Sequence, residues 1–132
     1  MSVLLALALA AADDPGCDVS ASAERFCAAF EVSLNEEQAL KLAYQYALSK
    51  AVESDRRTEK RGIVIAGDRT NVIALNGAQS AWRALLESEC LFEAIATRPG
   101  TDEDLNFVKC EIGRVRVRTV YLRALGKRFE KQ

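Results

Sequence analysis

The sequence of 132 residues contains no histidine, only two prolines and a single tryptophan. Histidine is the side chain that most often acts as a general base near neutral pH. Its absence excludes Ser-His-Asp and Cys-His catalytic arrangements and every zinc site that uses imidazole. No other catalytic or metal-binding constellation stands out. The sequence therefore predicts a protein that is not an enzyme and that uses neither a metal nor a cofactor.

The sequence also has no excess of positive or of negative charge. The chain has 18 basic and 19 acidic side chains and a formal net charge of −1, with a sequence pI of about 5.6. Nucleic-acid-binding domains usually carry a basic face and a high pI, so the composition argues against a nucleic-acid partner. Apolar residues make up 49% and charged residues 28%, which is typical of one globular domain of this length.

The sequence lacks an apolar run of the roughly 20 residues that a membrane-spanning helix needs. A shorter uncharged apolar run covers residues 3–12 and is followed by Asp13, Asp14 and Pro15. This pattern fits a secretory signal peptide. We predict a signal peptide at residues 1–12 and a single mature domain at residues 13–132, without stable membrane insertion after cleavage. A buried first helix is the alternative interpretation of the run.

Four cysteines are present, Cys17, Cys27, Cys90 and Cys110. No two of them have the C-x-x-C spacing of a zinc ribbon or a thioredoxin-like site. An even number of cysteines in a small exported chain favours disulfides, and four cysteines allow three connectivities. We predict sequential pairing, Cys17 with Cys27 and Cys90 with Cys110, so that each bond closes a local loop. The alternative is four free, buried thiols in a cytosolic protein.

Apolar residues recur at helical spacing along three long segments. The stripes contain Leu40, Ala43, Ala47 and Val52 in the first segment, Val72, Leu75, Trp82, Leu85, Leu86, Phe92 and Ile95 in the second, and Leu105, Val108, Ile112, Val115, Leu122 and Phe129 in the third. Ser33 either restarts a helix or lies within a longer one. The sequence predicts an all-α fold, a small antiparallel bundle of three to four helices stapled by two disulfides.

The secondary structure of several short stretches is less clear from their sequence patterns. The stretch RVRVRTVYL, residues 114–122, alternates as a strand does, but the wider helical spacing favours a helix. We predict that GIVIAG, residues 62–67, is a hydrophobic loop lying on the helices, and that the charged residues 54–61 form a solvated helix end. Asp68 or Thr70 is expected to cap the second helix. Either Thr101 or Asp102 is expected to cap the last one.

The candidate binding groups have ordinary structural explanations. The acidic residues 102–104 suit the N-terminus of a helix better than half of a metal site. Trp82 is expected to lie in the core rather than to form a platform for a ligand. Arg114 and Arg118 share one helical face, where they form a basic patch or pair with acidic neighbours.

The stretch AQSAWRALLESEC, residues 78–90, resembles the core motif of the lysozyme inhibitor LprI-like family of small exported bacterial domains. The family pattern has a leucine, a glutamine, a tryptophan and a cysteine eight residues after the tryptophan. A glycine followed by a small hydroxyl residue, a further cysteine, an arginine and a leucine come next. The matching positions are Leu75, Gln79, Trp82, Cys90, Gly100, Thr101, Cys110, Arg118 and Leu122. Upstream, Leu40 and Tyr44 in LKLAYQYAL match a further family segment, and Cys17 and Cys27 match its earlier cysteine pair.

This resemblance implies an all-helical, disulfide-bonded domain in the periplasm or outside the cell. It implies a protein partner, lysozyme or another peptidoglycan-lytic enzyme, whose cleft would be occluded without catalysis. The motif residues would be mainly structural. From loop position and charge, and not from the resemblance, we predict that Arg98, Thr101 and Asp102, beside the second predicted disulfide, contact the partner. The alternative is an exported structural or protein-interaction module of the cell envelope without activity toward lysozyme.

Overall fold

The computed structural model of the protein describes residues 21–96 and 102–132, which form three helices and no strand. Helix α1 covers Ala21–Lys60, α2 covers Asn71–Ala96 and α3 covers Glu103–Glu130. Ser33 lies within α1 and does not start a new helix. The stretch 114–122 lies entirely within α3, so the helical interpretation of its alternating pattern is confirmed.

The three helices run up, down and up. Contacts between α1 and α3 advance in the same direction along both helices, whereas contacts of α2 with α1 advance in opposite directions. The contacts that define these directions are Glu36–Arg116 and Tyr46–Glu130 for α1 with α3, and Glu37–Arg83 and Asp55–Asn71 for α1 with α2. The predicted all-α bundle is confirmed, with three helices in the part of the chain that the structure describes.

The core is built from small residues on α1 and larger ones on α2 and α3. Ala43, Ala47 and Ala51 of α1 are buried at four-residue steps, which places them on one helical face. Leu86 and Leu122 are among the largest fully buried side chains, whereas the predicted stripe members Leu85, Phe92 and Ile95 are exposed, so the prediction is wrong for these three. Small side chains let helix axes approach closely, and α1 packs most extensively against α3 and least against α2.

Gly126 of α3 is the point of closest approach to an aromatic ring of α1. A Cβ atom added there would lie 2.7 Å from Cδ1 of Tyr46 and closer still to Cε1, whereas one added at Gly113 would meet nothing within 4 Å. The Tyr46 hydroxyl also donates a hydrogen bond to Glu130 Oε1 at 2.8 Å, which restricts how the ring can move. Both glycines lie inside the same helix, so they form a matched pair.

We expect Gly126→Ala to lower the free energy of unfolding by about 1–2 kcal/mol, because overpacking against Tyr46 outweighs the gain in helix propensity. The control Gly113→Ala should raise it by about 0.5–1 kcal/mol, since alanine favours a helix and here meets no neighbour. Urea denaturation of both variants measures the difference. Equal effects of the two substitutions would contradict the close packing at Gly126.

The N-terminus of α2 is capped by a side chain of α1. Asp55 is 8% exposed, and its carboxylate accepts hydrogen bonds from the backbone N–H groups of Asn71 at 2.9 Å and Val72 at 3.1 Å. Of the two predicted caps, Thr70 accepts a hydrogen bond from the N–H of Ile73 at 3.2 Å, whereas Asp68 is exposed. A carboxylate at this position stabilises the positive end of the helix dipole.

The prediction that residues 54–61 are a solvated helix end is wrong for several of them. Ser54 and Asp55 are buried. Arg57 and Arg61 donate hydrogen bonds to the carbonyl oxygens of Phe129 and Gln132 at 2.5 and 2.7 Å. These carbonyls lie at the negative end of α3, where cations are favourable. The charged end of α1 therefore contacts both of the other helices.

The prediction that residues 62–67 lie on the helices is wrong for two apolar side chains of this loop. Val64 is 95% exposed and Ile63 is 53% exposed. Gly62 ends α1 with φ of 76°, as a glycine after a helix often does. Two turns, closed by hydrogen bonds from Gly62 N–H to Glu59 and from Arg69 N–H to Ala66, keep the loop beside the helix ends instead of across a helix face.

A disulfide joins Cys90 of α2 to Cys110 of α3, with a Cα–Cα distance of 5.5 Å. The predicted pairing of these two cysteines is confirmed. No cysteine in residues 21–96 or 102–132 is a free thiol. Cys17 and the predicted signal peptide lie outside the described residues, so the pairing of Cys17 with Cys27 stays a prediction.

Candidate functional site

Arg118 of α3 lies between two aromatic rings at the contact with α2. Its Nε donates a hydrogen bond to Gln79 Oε1 at 3.0 Å. Its guanidinium carbon lies 5.4 Å from the ring centroid of Trp82 and 4.8 Å from that of Tyr121, within the range of cation–π attraction. Partial burial lowers the pKa of Arg118, but a guanidinium stays protonated in proteins.

The spacing of these residues explains why they meet. Gln79 and Trp82 are three residues apart on α2, and Arg118 and Tyr121 are three residues apart on α3, so each pair shares one helical face. The Arg118 Nη2 atom is buried and has no hydrogen-bond partner. The π faces of Trp82 and Tyr121 attract the guanidinium beside the Gln79 oxygen. The arrangement holds α2 against α3 through a partly buried cation.

A second contact joins α1 to α2. The Tyr44 hydroxyl donates a hydrogen bond to Asn76 Oδ1. Both residues line a shallow, open groove with Gln79, Ser80 and Arg83. Tyr44 and Trp82 are partly buried and pack against the core, so the prediction that Trp82 lies in the core is confirmed in part.

The model of one protein family, described as lysozyme inhibitor LprI, matches residues 17–122. The chain belongs to the LprI family. No curated protein and no solved structure matches it. The family match covers most of the chain, and it spans all three helices in whole or in part.

In this LprI chain, the family-motif residues fall into two groups. Leu40, Leu75 and Leu122 are buried in the core. Tyr44, Gln79, Trp82 and Arg118 form the polar and aromatic contacts between helices described above. None of the seven stands alone on an open surface. Gly100 lies outside the described residues.

The residues predicted to contact a partner are described only in part. Arg98 and Thr101 lie outside the described residues. Asp102 occupies the position before α3 and its side chain makes no capping hydrogen bond, whereas its backbone carbonyl accepts one from Asn106 at 2.9 Å. Asp102 is therefore the N-cap residue of α3, one of the two predicted alternatives, but its side chain does not supply the capping hydrogen bond. Because α3 begins with Glu103 and Asp104, acidic side chains offset the helix dipole at this end instead.

Acidic residues surround the disulfide that joins α2 to α3. Arg114 binds Glu89 at 2.5 Å and Glu93 at 2.8 Å, which fulfils the expectation that Arg114 pairs with acidic neighbours. Glu87 and Asp104 are exposed. The segment from residue 87 to residue 111 is mainly acidic, whereas the segment from 114 to 131 is mainly basic. The disulfide end of the bundle therefore presents negative charge.

A further cluster of charges connects all three helices. Arg83 of α2 forms two hydrogen bonds with the Glu37 carboxylate of α1, at 2.6 and 2.8 Å. Glu111 of α3 lies close enough to Glu37 and Arg83 for both charges to affect its pKa. Burial, together with repulsion from the Glu37 charge, raises the pKa of Glu111, although attraction to Arg83 opposes the change. The Glu37 hydrogen bond raises the pKa of Arg83.

We expect Glu111→Gln to stabilise the protein near neutral pH and to have little effect near pH 4. A carboxyl whose pKa is raised on folding favours the folded state while it is protonated and loses that contribution as pH rises through the raised pKa. The stability difference between variant and wild type should therefore grow with pH and then level off. Urea denaturation of both proteins from about pH 4 to about pH 8 measures this difference, over a range that starts near the ordinary glutamate pKa. Glu59→Gln, at an exposed position of α1, is the control.

Sequence reasoning missed several residues of these contacts. Tyr121 lies in the stretch 114–122 but was not expected to contact Arg118, and Asn76 and Glu37 are not part of any motif considered above. The helical spacing from Arg118 to Tyr121 was a usable signal, because residues three apart share a face. The pairing of Arg83 with Glu37 was not, because the two residues lie on different helices whose rotation the sequence pattern does not specify.

The described residues form neither a metal site nor a membrane-spanning helix. No group of histidine, cysteine, aspartate or glutamate in residues 21–96 and 102–132 could hold a metal ion. None of the described helices is both long enough and apolar enough to cross a membrane.

Proposed function

We propose that the protein is an exported, non-catalytic inhibitor that binds a peptidoglycan-lytic enzyme of the lysozyme type and occludes its cleft. The observation that carries this proposal is the LprI family match over residues 17–122. The Cys90–Cys110 disulfide supports a location in the periplasm or outside the cell, because disulfides persist in oxidising compartments.

The acidic end of the bundle supports a cationic partner. Lysozyme-type enzymes cut glycan with two carboxyl groups in a cleft, and an inhibitor needs only to cover that cleft. Complementary charge accelerates the encounter of two proteins. We propose that the exposed carboxylates of Glu87 and Asp104 guide a basic enzyme to this end. Arg98 would then donate hydrogen bonds to the cleft carboxylates, and Thr101 and Asp102 would contact the enzyme beside the cleft.

The test is lysis of peptidoglycan-rich cells by a c-type lysozyme, with and without the oxidised protein. We expect inhibition that rises with dose and that weakens as salt is added, since surface charges are screened. Replacing both Glu87 and Asp104 with lysine should weaken the inhibition and flatten its salt dependence. Replacing Glu59 and Asp68 with lysine makes the same change in net charge at exposed positions near the opposite end, and it should leave inhibition nearly unchanged.

Arg98→Ala tests the contact with the cleft. If this variant inhibits as well as the wild type, Arg98 is not the group that reaches the carboxylates. If the wild type fails to inhibit at large molar excess, the proposed inhibition is wrong for this chain, whatever the effect of the charge variants.

One observation favours a second function, an exported protein-interaction module of the cell envelope without activity toward lysozyme. Ile63 and Val64 are exposed on the loop between α1 and α2, and adjacent exposed apolar side chains often mark a contact with another protein. Recovery of an envelope protein by the wild type, and not by an Ile63→Ser, Val64→Ser variant, would support this function if lysozyme is not inhibited.

A further inference from the structure

Helix α2 has an apolar face on the side opposite to the core. The core side contains Leu75, Leu86 and Cys90, which are buried. The opposite side contains positions at three- and four-residue steps that are all exposed. These positions are Ala74, Gly77, Ala78, Ala81, Ala84, Leu85, Ser88, Leu91, Phe92 and Ile95. None of them carries a charge. A helix that is apolar on both faces is normally covered on both, and here the second face has no cover from the described residues.

Side-chain size changes sharply along this face. Its N-terminal half, from Ala74 to Ala84, contains only alanine and glycine. Its C-terminal half contains Leu85, Leu91, Phe92 and Ile95, and Phe92 is 72% exposed. The half with small residues is a shallow surface, and the half with large residues projects from the helix.

A groove runs beside the half with small residues. Ala74 and Ala78 of α2 form one wall, and Tyr121 and Leu125 of α3 form the other. The groove is mostly apolar, and Leu75 lies at its base within the core. It offers a place for a large apolar side chain at the end of α2 where the face itself has none.

We propose that two copies of the protein associate through antiparallel α2 helices, so that Phe92 of each copy enters the groove between α2 and α3 of the other. A two-fold axis near Ala84 and Leu85 brings the large half of each helix over the small half of the other. It also brings Phe92 level with Gly77 and Ala78. An interface of this kind must be complementary to itself, and the size pattern of this face meets that requirement.

The apolar face of α2 is consistent with a second copy and not with a cationic enzyme, since the exposed carboxylate of Glu87 lies outside this face. Glu89 and Glu93 lie on the side of α2 that contacts α3, where Arg114 neutralises them. Arg83 is bound to Glu37. The face itself offers neither charge nor, apart from Ser88, a polar side chain. This face offers no negative charge to a basic partner. A second apolar face can cover it favourably, because both faces are then removed from water.

The area of contact sets the expected strength. The paired segment of α2 is about 33 Å long and a helix is about 10–12 Å wide. Such a strip covers about 350 Å² on each copy, about 700 Å² in total, which is below the roughly 1,200 Å² at which specific, stable interfaces begin. We therefore expect a weak dimer, with a dissociation constant of roughly tens of micromolar.

Sedimentation of the oxidised protein, expressed from its full sequence, tests the proposal at total concentrations from about 1 to about 200 μM, a span that brackets a micromolar constant. We expect dimers at the upper end. Phe92→Glu should raise the dissociation constant at least about 100-fold, as loss of a central aromatic anchor does. Val120→Glu replaces an exposed apolar residue of α3 that does not line the groove, and it should leave the dimer intact.

A charge pair tests the antiparallel arrangement directly. Ala78→Arg and Phe92→Glu should each give monomers, and an equimolar mixture should recover a dimer, because residue 78 of one copy then faces residue 92 of the other. A mixture that stays monomeric would overturn the antiparallel arrangement. A wild-type protein that is monomeric at 200 μM would overturn the proposal altogether, whether another part of the chain or another protein covers the face. None of these results depends on lysozyme inhibition.

Discussion

Replacing Asp55 with alanine should lower the free energy of unfolding by about 2–3 kcal/mol, as much as the loss of a sizeable core side chain. The Asp55 carboxylate is buried and accepts hydrogen bonds from two backbone N–H groups at the first turn of α2. Alanine would leave the N–H groups of Asn71 and Val72 without this acceptor in a site with little access to water. It would also remove the negative charge that stabilises the positive end of the helix dipole.

The measurement is urea denaturation followed by circular dichroism, with the midpoint and the slope compared with those of the wild type. We expect a lower midpoint and an unchanged slope, because the variant should expose the same surface on unfolding. Asp68→Ala is the matched control. Asp68 is also an aspartate just before α2, but it is exposed, and its loss should change stability by less than about 0.5 kcal/mol. A similar loss from both variants would contradict the role of Asp55.

Removing the Cys90–Cys110 disulfide should have the second large effect. The bond closes a loop with a sequence separation of 20. In the chain-entropy account, a loop of this length contributes about 3 kcal/mol by restricting the unfolded chain. We expect a loss of about that size in the variant that carries both Cys90→Ala and Cys110→Ala. An additional loss should come from Cys90, which is fully buried, because alanine leaves space in the core.

Comparison of three samples separates the bond from the packing. The oxidised wild type, the reduced wild type and the double variant should unfold at decreasing urea concentrations. The denatured, unreduced wild type should show no thiol that reacts with a thiol reagent. Reaction of two or more thiols per chain would instead show that the predicted disulfides are incomplete, and equal stability of oxidised and reduced protein would contradict the contribution of the bond.

The helical parts of the fold were predictable because their signals repeat over many turns. The spacing of Leu105, Val108, Ile112 and Val115 outweighed the short alternating stretch in α3, and the structure agrees with it. The pairing of Cys90 with Cys110 was predictable for a related reason, since two successive antiparallel helices bring such positions together at their shared end.

The role of Asp55 was not predictable in this way. Its sequence neighbours are Ser54, Arg56 and Arg57, and a charged stretch near the end of a helix usually faces water. The carboxylate turns inward only because the N-terminus of α2, sixteen residues further along the chain, needs an acceptor at that point. The local sequence predicts that the N-terminus of a helix needs a capping group. It does not predict which side chain of another helix supplies that group.

Some residues of the candidate site were predictable from the sequence, and their partners on other helices were not. Gln79, Trp82 and Arg118 were identified as a set from the family resemblance, and the structure brings these three together. The partners Tyr121 and Asn76 were not identified. The rotation of each helix about its own axis decides which side chains meet across a bundle, and the apolar pattern specifies that rotation only within about one residue.

The disulfide between α2 and α3 also affects what a single proteolytic cut does to the protein. Any single cut between Cys90 and Cys110 would leave two fragments held together by a covalent bond. Because α1, α2 and α3 pack mainly through side chains outside that segment, a nicked molecule should keep its shape and migrate as one species on a non-reducing gel. We therefore expect the protein to survive a single cut between Cys90 and Cys110 as a folded, two-chain molecule.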